Sequence, residues 1–329
     1  MNKIDFLGED DFLEVMQSEN LQWQNTSTKQ GDFSSFDGTK LRFYCAVPEA
    51  PRAVITIVHG FCEFFGKYHE YAWYLYKSGY AVYFLEQRGH GYSEGKLKEP
   101  DVVFIDDYDT YVEDLKSFLD KVVFPETEGL KKILLAHSMG GAVSTLFLEK
   151  YKNYFDAAIL SSPMLKMKNN TSPLLIKLLS IYSFLFGKRK TIAPGQRHFD
   201  PTPVFENSST LSKARYDYMF EMRKKDWHYQ TYGASIGWAL ASLKVTDRIM
   251  KGAPSLKIPI TVFTAGQDHL INPEGYTKFA ELVPDAKFIH FEKSRHEIFN
   301  ADDESRKQYF AKVLEILDTL VSKQDSQNF

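Results

Sequence analysis

Of the 329 residues, 43% are hydrophobic and 25% charged, with a formal net charge of -3; this is apolar content enough for one large α/β domain or two average ones, and it excludes disorder on a large scale. So even a balance of charge favours neither nucleic acid nor an anionic membrane as a general partner, which leaves small, weakly charged molecules. Cys45 and Cys62 are the only cysteines, so a disulfide framework and a Cys-rich zinc site are excluded, and with no signal-like or spanning apolar run the expected location is the cytoplasm.

After a polar start that reads as irregular, 40–47 and 52–58 read as strands, the second an almost unbroken β-branched run of the kind buried on both faces. A helix at 68–77 and a strand at 80–85 follow. Residues 108–122 place Val112, Leu115, Leu119 and Val122 at helical spacing, and a strand at 133–136, a helix at 138–151 and a strand at 157–160 come next. Such alternation predicts a parallel sheet covered on both faces. It stops at Ser161-Ser162-Pro163 and resumes with a strand at 258–264, a helix at 274–282, a strand at 287–291 and a last helix at 303–320. The aromatic and basic stretch between, with its helical periodicity, reads as an inserted cap. The expected organisation is therefore core at 1–162, helical cap at 163–255, core again at 256–322, and a disordered tail at 323–329.

The stretch Ile133-Leu134-Leu135-Ala136-His137-Ser138-Met139-Gly140-Gly141 ends an apolar strand on a serine and two glycines. Ordinary turn chemistry is the bland reading. The sharper one is a tight strand-to-helix turn that lifts a nucleophilic hydroxyl above the sheet, with small neighbours that let backbone and an incoming carbonyl approach closely. A serine hydroxyl needs a base and an orienting carboxylate. Asp268 lies just past the strand that resumes the sheet and His296 just past the next one, so both fall at the C-terminal edge of the parallel strands, where open α/β folds bind ligands. Among the competing histidines, His290 lies inside a strand and reads as a packed residue, while His269 is too close in sequence to Asp268 to face it. A tetrahedral intermediate also needs backbone N–H donors for its oxyanion; the pattern assigns these to Met139 and Phe61. Cys62, with no base assigned to it, reads as a small buried residue. The glycines of Arg88-Gly89-His90-Gly91-Tyr92-Ser93 have neither the dinucleotide nor the Walker spacing, so no cofactor or metal is expected.

With these residues in hand, the sequence resembles the serine-hydrolase family that contains monoacylglycerol lipases and bacterial lysophospholipases. The resemblance covers about residues 40–320 and is carried by His59-Gly60-Phe61-Cys62-Glu63, Arg88-Gly89-His90-Gly91-Tyr92-Ser93, His137-Ser138-Met139-Gly140-Gly141, Gly266-Gln267-Asp268 and His296-Glu297. It implies an α/β-hydrolase fold with a mostly parallel sheet, a triad of Ser138, Asp268 and His296, an oxyanion hole at Phe61 and Met139, and fatty acyl glycerides or lysophospholipids as substrates. Two positions depart from the pattern: Glu86 stands where the family often has Asp, and Phe64 where monoacylglycerol lipases often have His. An esterase for short or aromatic acyl groups, an aminopeptidase, and a catalytically silent binding protein of the same fold remain as alternatives.

The cap supplies the remaining candidates. Residues 232–238 resemble the helix that lines the acyl pocket in lysophospholipase-like members, which makes Trp238 a substrate-binding candidate. The apolar stretch 174–186, followed by Lys188-Arg189-Lys190, either packs onto the core or forms a lid whose Leu178 and Phe184 meet acyl chains or, transiently, a lipid surface. The oligomeric state is not legible.

Overall fold

The computed structural model describes residues 4–325. The predicted alternation is present. In chain order the elements are α1 (Phe12–Gln17), α2 (Glu19–Ser27), β1 (Thr28–Ser34), β2 (Lys40–Ala46), β3 (Val54–Val58), α3 (His69–Lys77), β4 (Ala81–Leu85), β5 (Val102–Val103), α4 (Tyr108–Phe118), β6 (Lys132–His137), α5 (Met139–Lys150) and β7 (Ala157–Ser161). They continue as α6 (Pro173–Leu185), α7 (Lys213–Lys225), β8 (Gly233–Ala234), α8 (Ile236–Gly252), β9 (Ile260–Ala265), α9 (Pro273–Leu282), β10 (Lys287–Phe291) and α10 (Asp303–Asp325).

Eight strands form one sheet in the order β1-β2-β4-β3-β6-β7-β9-β10. Those from β4 to β10 run parallel, and β1 and β2 join antiparallel at one edge. Because successive side chains of a strand point to opposite faces, each central strand feeds two cores. Leu134 and Ala136 of β6 pack under α4, α5 and α8, whereas Ile133 and Leu135 pack under α3 and α10. Each fully buried aliphatic side chain of this kind contributes roughly 1.5–3 kcal/mol. The register aligns the strand ends: Val58 pairs with Ala136, His137 with Ser161, and Ala265 with Phe291. The loops leaving β3, β6, β9 and β10 therefore emerge at one edge.

The N-terminal start is not irregular. It forms α1 and α2, which bury Phe12, Met16 and Trp23, and the edge strand β1. Tertiary contacts hold it there: the Glu9 carboxylate accepts from Ser212 Oγ at 2.5 Å and from the Ala214 N–H at 2.7 Å. Strand β1 carries no β-branched run, and its Gly31 leaves room for the Phe43 ring, which a Cβ would approach to 2.7 Å. His290 is likewise not packed. It sits on the outermost strand, exposed, with Nε2 2.9 Å from Glu292 Oε2. Helix α10 continues to Asp325, so three residues of the expected disordered tail are helical, and 326–329 lie outside the described residues.

Between β7 and β9 lie α6, α7 and α8. The last of these packs on α5 and buries Trp238, Ala241, Val245 and Ile249 in the larger core. Helix α6 behaves differently: Leu174, Leu175, Leu178, Ile181, Phe184 and Leu185 are all exposed, and only Ile176 and Leu179 reach the small cluster around Ile236 and Leu240.

Candidate active site

Strand β6 delivers Ser138 into a turn at φ 51°, ψ −118°, a left-handed conformation that costs a non-glycine residue of order 1–3 kcal/mol and is tolerated where surrounding structure dictates it. The two following glycines show what dictates it here. A Cβ on Gly140 would lie 2.1 Å from the Val58 carbonyl oxygen, and one on Gly141 2.4 Å from Pro163 Cβ. Only bare backbone lets α5 start this close to β3 and to the end of β7. The Ser138 carbonyl accepts from the Gly141 and Met164 N–H groups at 2.8 and 2.9 Å, which closes the turn.

Asp268 and His296 arrive on loops laced together by backbone. The Gly266 N–H donates to the Phe291 carbonyl and that of Gln267 to the Ser294 carbonyl, both at 2.9 Å. His296 Nδ1–H donates to Asp268 Oδ2 at 2.7 Å, which leaves Nε2 to accept from Ser138 Oγ at 2.8 Å. Asp268 Oδ1 accepts from the N–H groups of Leu270 and Ile271 at 2.8 and 3.0 Å. Burial works to raise the Asp268 carboxyl, but the bond and charge of His296, together with those two N–H groups, hold it below the usual carboxylate range. All three side chains are buried, with Ser138 9% exposed and His296 2%. The geometry matches a nucleophile, a base and an orienting acid in hydrogen-bond reach of one another.

Met139 is the first residue of α5, so its N–H has no intrahelical acceptor. Phe61 stands in the loop after β3, next to Cys62, whose φ of 58° bends the chain. That loop is held from both sides. His59 Nδ1–H donates to the Gly60 carbonyl at 2.7 Å while Nε2 accepts from the Gln87 N–H at 2.9 Å; burial lowers the imidazole to about 4 against the pull of Glu63, so it stays neutral. Glu63 Oε2 accepts from the Gly60 N–H at 2.5 Å and the Tyr68 hydroxyl at 2.6 Å.

Glu63 and Glu297 stand inside the sequence motifs with no task that the pattern reveals, and Lys67 stands outside them. The structure brings them together: Lys67 Nζ lies 2.6 Å from Glu63 Oε1 and 2.7 Å from Glu297 Oε1, and His137 Nδ1 lies 3.1 Å from Glu63. Burial opposes every one of these charges. Their mutual attraction outweighs it, holding both carboxyls below and the ammonium above their usual ranges. This bridge links the oxyanion loop to the residue after His296. The one sequence signal is the four-residue spacing of Glu63 and Lys67, across the start of the short helical turn Phe65–Tyr68.

Of the cap candidates, Trp238 is 5% exposed and packs on Phe61 with ring centroids 4.1 Å apart. Leu178 and Phe184 are not brought to the triad; they face outward, 53% and 75% exposed. The Cys62 thiol is buried and free. Among the described residues no group of three or more His, Cys, Asp and Glu side chains is placed to hold a metal ion. A cavity of about 680 Å³ lined by Lys131, Asp156, Lys287 and Ile316 touches none of the triad.

A mostly parallel eight-stranded sheet with helices on both faces, a helical segment between β7 and β9, and a strand–serine–helix turn after β6 is the α/β-hydrolase fold. Within it the chain belongs to the family described as serine aminopeptidase, S33, whose sequence profile matches residues 49–303. Relatives include a probable lysophospholipase L2 of Haemophilus influenzae, 26% identical over 80% of this chain and 83% of its own. A monoacylglycerol lipase of Mycolicibacterium smegmatis is also 26% identical, over 85% of this chain and 94% of its own. Among solved structures, a soluble variant of monoglyceride lipase from Saccharomyces cerevisiae, in complex with a substrate analog, superposes with a TM-score of 0.72 at 18% identity, covering 90% of this chain and 97% of that one.

Proposed function

We propose that this protein is a carboxylic-ester hydrolase that uses no cofactor and acts on fatty acyl monoglycerides or lysophospholipids. The observation that carries the proposal is the unbroken relay Asp268–His296–Ser138, with links of 2.7 and 2.8 Å, beside the N–H groups of Phe61 and Met139. His296 Nε2 takes the Ser138 proton as Oγ attacks the ester carbonyl, and the two N–H groups receive the developing oxyanion. The imidazolium, stabilised by ionised Asp268, gives its proton to the departing alcohol and leaves an acyl-serine. A water deprotonated by His296 then attacks that acyl group, and release of the fatty acid returns the proton to Ser138.

The family's description and the relatives' names support hydrolysis. An aminopeptidase must also offer a carboxylate to the substrate's free ammonium. Glu63, two residues after Phe61, and Glu297, next to His296, are both occupied by Lys67, which favours the ester reading. The outward apolar face of α6 fits a lid that meets the lipid surface from which substrate is drawn; Lys188 and Lys190 follow it, while Arg189 is paired with Asp106 at 2.9 Å. No helix of the described residues is long and apolar enough to cross a membrane. A cytoplasmic location belongs to the same proposal and rests on the two free, buried thiols. A hydrolysis screen across acyl lengths and head groups, run beside Ser138→Ala, tests the reading. Turnover of acyl esters that disappears in the variant supports it, and turnover of aminoacyl amides alone overturns it.

A further inference from the structure

Buried cations in this fold are paired almost throughout. Arg215 and Arg306 share Glu70 at 2.7 and 3.0 Å, Lys67 has two carboxylates, and Arg88 has Asp114 at 2.7 Å. Arg223 breaks the pattern beside the oxyanion loop, and with it goes Lys96, a half-buried cation. Arg223, in the last turn of α7, is 9% exposed, has no carboxylate within salt-bridge distance among the described residues, and carries an Nε–H without an acceptor. Its Nη2 donates to the carbonyl of Cys62, the residue after Phe61, and its guanidinium lies 5.8 Å from the centre of the Phe64 ring. Lys96, on the loop between β4 and β5, donates to the His228 carbonyl at 3.2 Å and lies 5.9 Å from the Trp227 ring, again with no carboxylate partner.

The acids in electrostatic reach are engaged elsewhere. Glu86 accepts from the N–H groups of Tyr92 and Phe65 at 2.7 and 3.3 Å, and Asp226 takes the Tyr92 hydroxyl and His228. Burial pulls the Lys96 ammonium down to about 8 in spite of Glu86 and Asp226. Both cations act on Cys62, Arg223 through direct contact with its carbonyl: burial pushes the thiol up to about 12, and Arg223 and then Lys96 are the leading charges that pull it back. A buried charge left without a partner is costly, so a protein that keeps Arg223 unpaired against the loop that carries Phe61, with the half-buried Lys96 in electrostatic reach, has a use for an anion there.

We propose that Arg223 and Lys96 form the subsite for the phosphodiester of a lysophospholipid head group, so that the enzyme selects lysophospholipids over neutral monoglycerides. The inference rests on the ester-hydrolase reading and deepens it. In a 1-acyl lysophospholipid the phosphorus follows the ester oxygen by three carbons and one oxygen, a reach of about 6 Å at ordinary bond lengths, and one residue step along the backbone is about 3.8 Å. From an ester carbonyl seated on the Phe61 N–H, the phosphate is thus within reach of Cys62, the residue that Arg223 holds. The planar guanidinium, with no carboxylate on it, suits a phosphate oxygen, and the ammonium supplies a second point charge. A monoglyceride offers only a hydroxyl there and leaves both cations unpaired, and a site built for a polar group rejects the analogue that lacks it.

The test compares 1-oleoyl lysophosphatidylglycerol with 1-monooleoylglycerol in the same detergent micelles, using the wild type, Lys96→Met and Arg223→Gln. The wild type is expected to favour the phospholipid in kcat/KM by about tenfold or more, and each variant to cut that ratio by about tenfold, mainly through KM for the phospholipid. A neutral short-chain ester supplies a second readout: glycerol 3-phosphate should inhibit its hydrolysis competitively in the wild type and about tenfold more weakly in Lys96→Met. A wild type that prefers the glyceride, or an enzyme indifferent to glycerol 3-phosphate, overturns the subsite; so do folded variants whose ratio stays within about twofold of wild type. Failure of the underlying reading looks different, because then neither lipid is hydrolysed by any of the three proteins.

Discussion

Replacing Lys67 by Met removes one cation from between two buried carboxylates while keeping most of the side-chain volume. Breaking a buried ion pair from one side costs about 3–5 kcal/mol. Here Glu63 keeps the Gly60 N–H and the Tyr68 hydroxyl, and Glu297 keeps Asn300 Nδ2 at 3.2 Å, so the lower end, about 3 kcal/mol, applies. For a chain somewhat larger than those that lose about 2–4 °C per kcal/mol, the melting temperature should drop by about 5 °C. The sign with pH is fixed as well. Without Lys67, burial raises both carboxyls, so the variant's deficit grows as pH rises from about 5 to 8 and shrinks as the carboxyls take up protons at lower pH. The bridge joins the loop carrying Phe61 to the residue after His296, and sub-ångström misplacement of reacting groups is expensive. Turnover of a short soluble ester should fall about tenfold or more with KM little changed, and Lys67→Arg should restore much of it. Thermal unfolding at several pH values and steady-state kinetics make the measurement. A variant that melts within about 1 °C of wild type at every pH and keeps its kcat would refute the reasoning.

Asp268→Asn should lower turnover by ~10³-fold or more, since an amide cannot stabilise the imidazolium. Because the native carboxyl is held below the usual range, its stabilisation is present above about pH 4 and lost as pH falls through the folded value; acid unfolding curves of the variant should lack that limb. Burial raises the Glu86 carboxyl to about 7, the opposite sign: the folded chain holds a proton that the unfolded chain releases, so stability declines as pH rises from about 4.5 to 7, by at most about 3 kcal/mol. Glu86→Gln should flatten that window in urea titrations, with a constant offset for the weakened 3.3 Å bond from Phe65. Leu178→Asp with Phe184→Asp should cripple hydrolysis of dispersed long-chain lipid and spare a short soluble ester, because both side chains are already exposed; equal loss on both substrates with a lowered melting temperature would make the segment a packing element.

Legibility followed the range of the interactions. The strands β3, β6, β7 and β9 announce themselves by apolar runs, β-branched in β3 and β9; Ser138 and Asp268 stand just past β6 and β9, and His296 just past β10, so the topology and the candidate site emerge together from local pattern. Strand β1 does not announce itself, because Thr28–Ser34 is held by pairing with β2 rather than by its own propensity. The first helices were likewise hidden, since Glu9 acts on Ser212 and Ala214 of the cap. Lys67 with Glu297, and Arg223 with Cys62, are pairs that only the finished fold brings within reach. His290 misled for a related reason: a residue in a strand is packed only if another strand or helix covers it, and β10 is an edge.

The central claim is that Ser138 is the nucleophile, activated by His296 and Asp268. Its most direct test is reaction with a fluorophosphonate probe followed by peptide mass spectrometry. The account predicts a single modified peptide carrying the adduct on Ser138, formed far more slowly in Asp268→Asn and absent in Ser138→Ala. No adduct on the folded wild-type protein, or one that persists in Ser138→Ala, would contradict it.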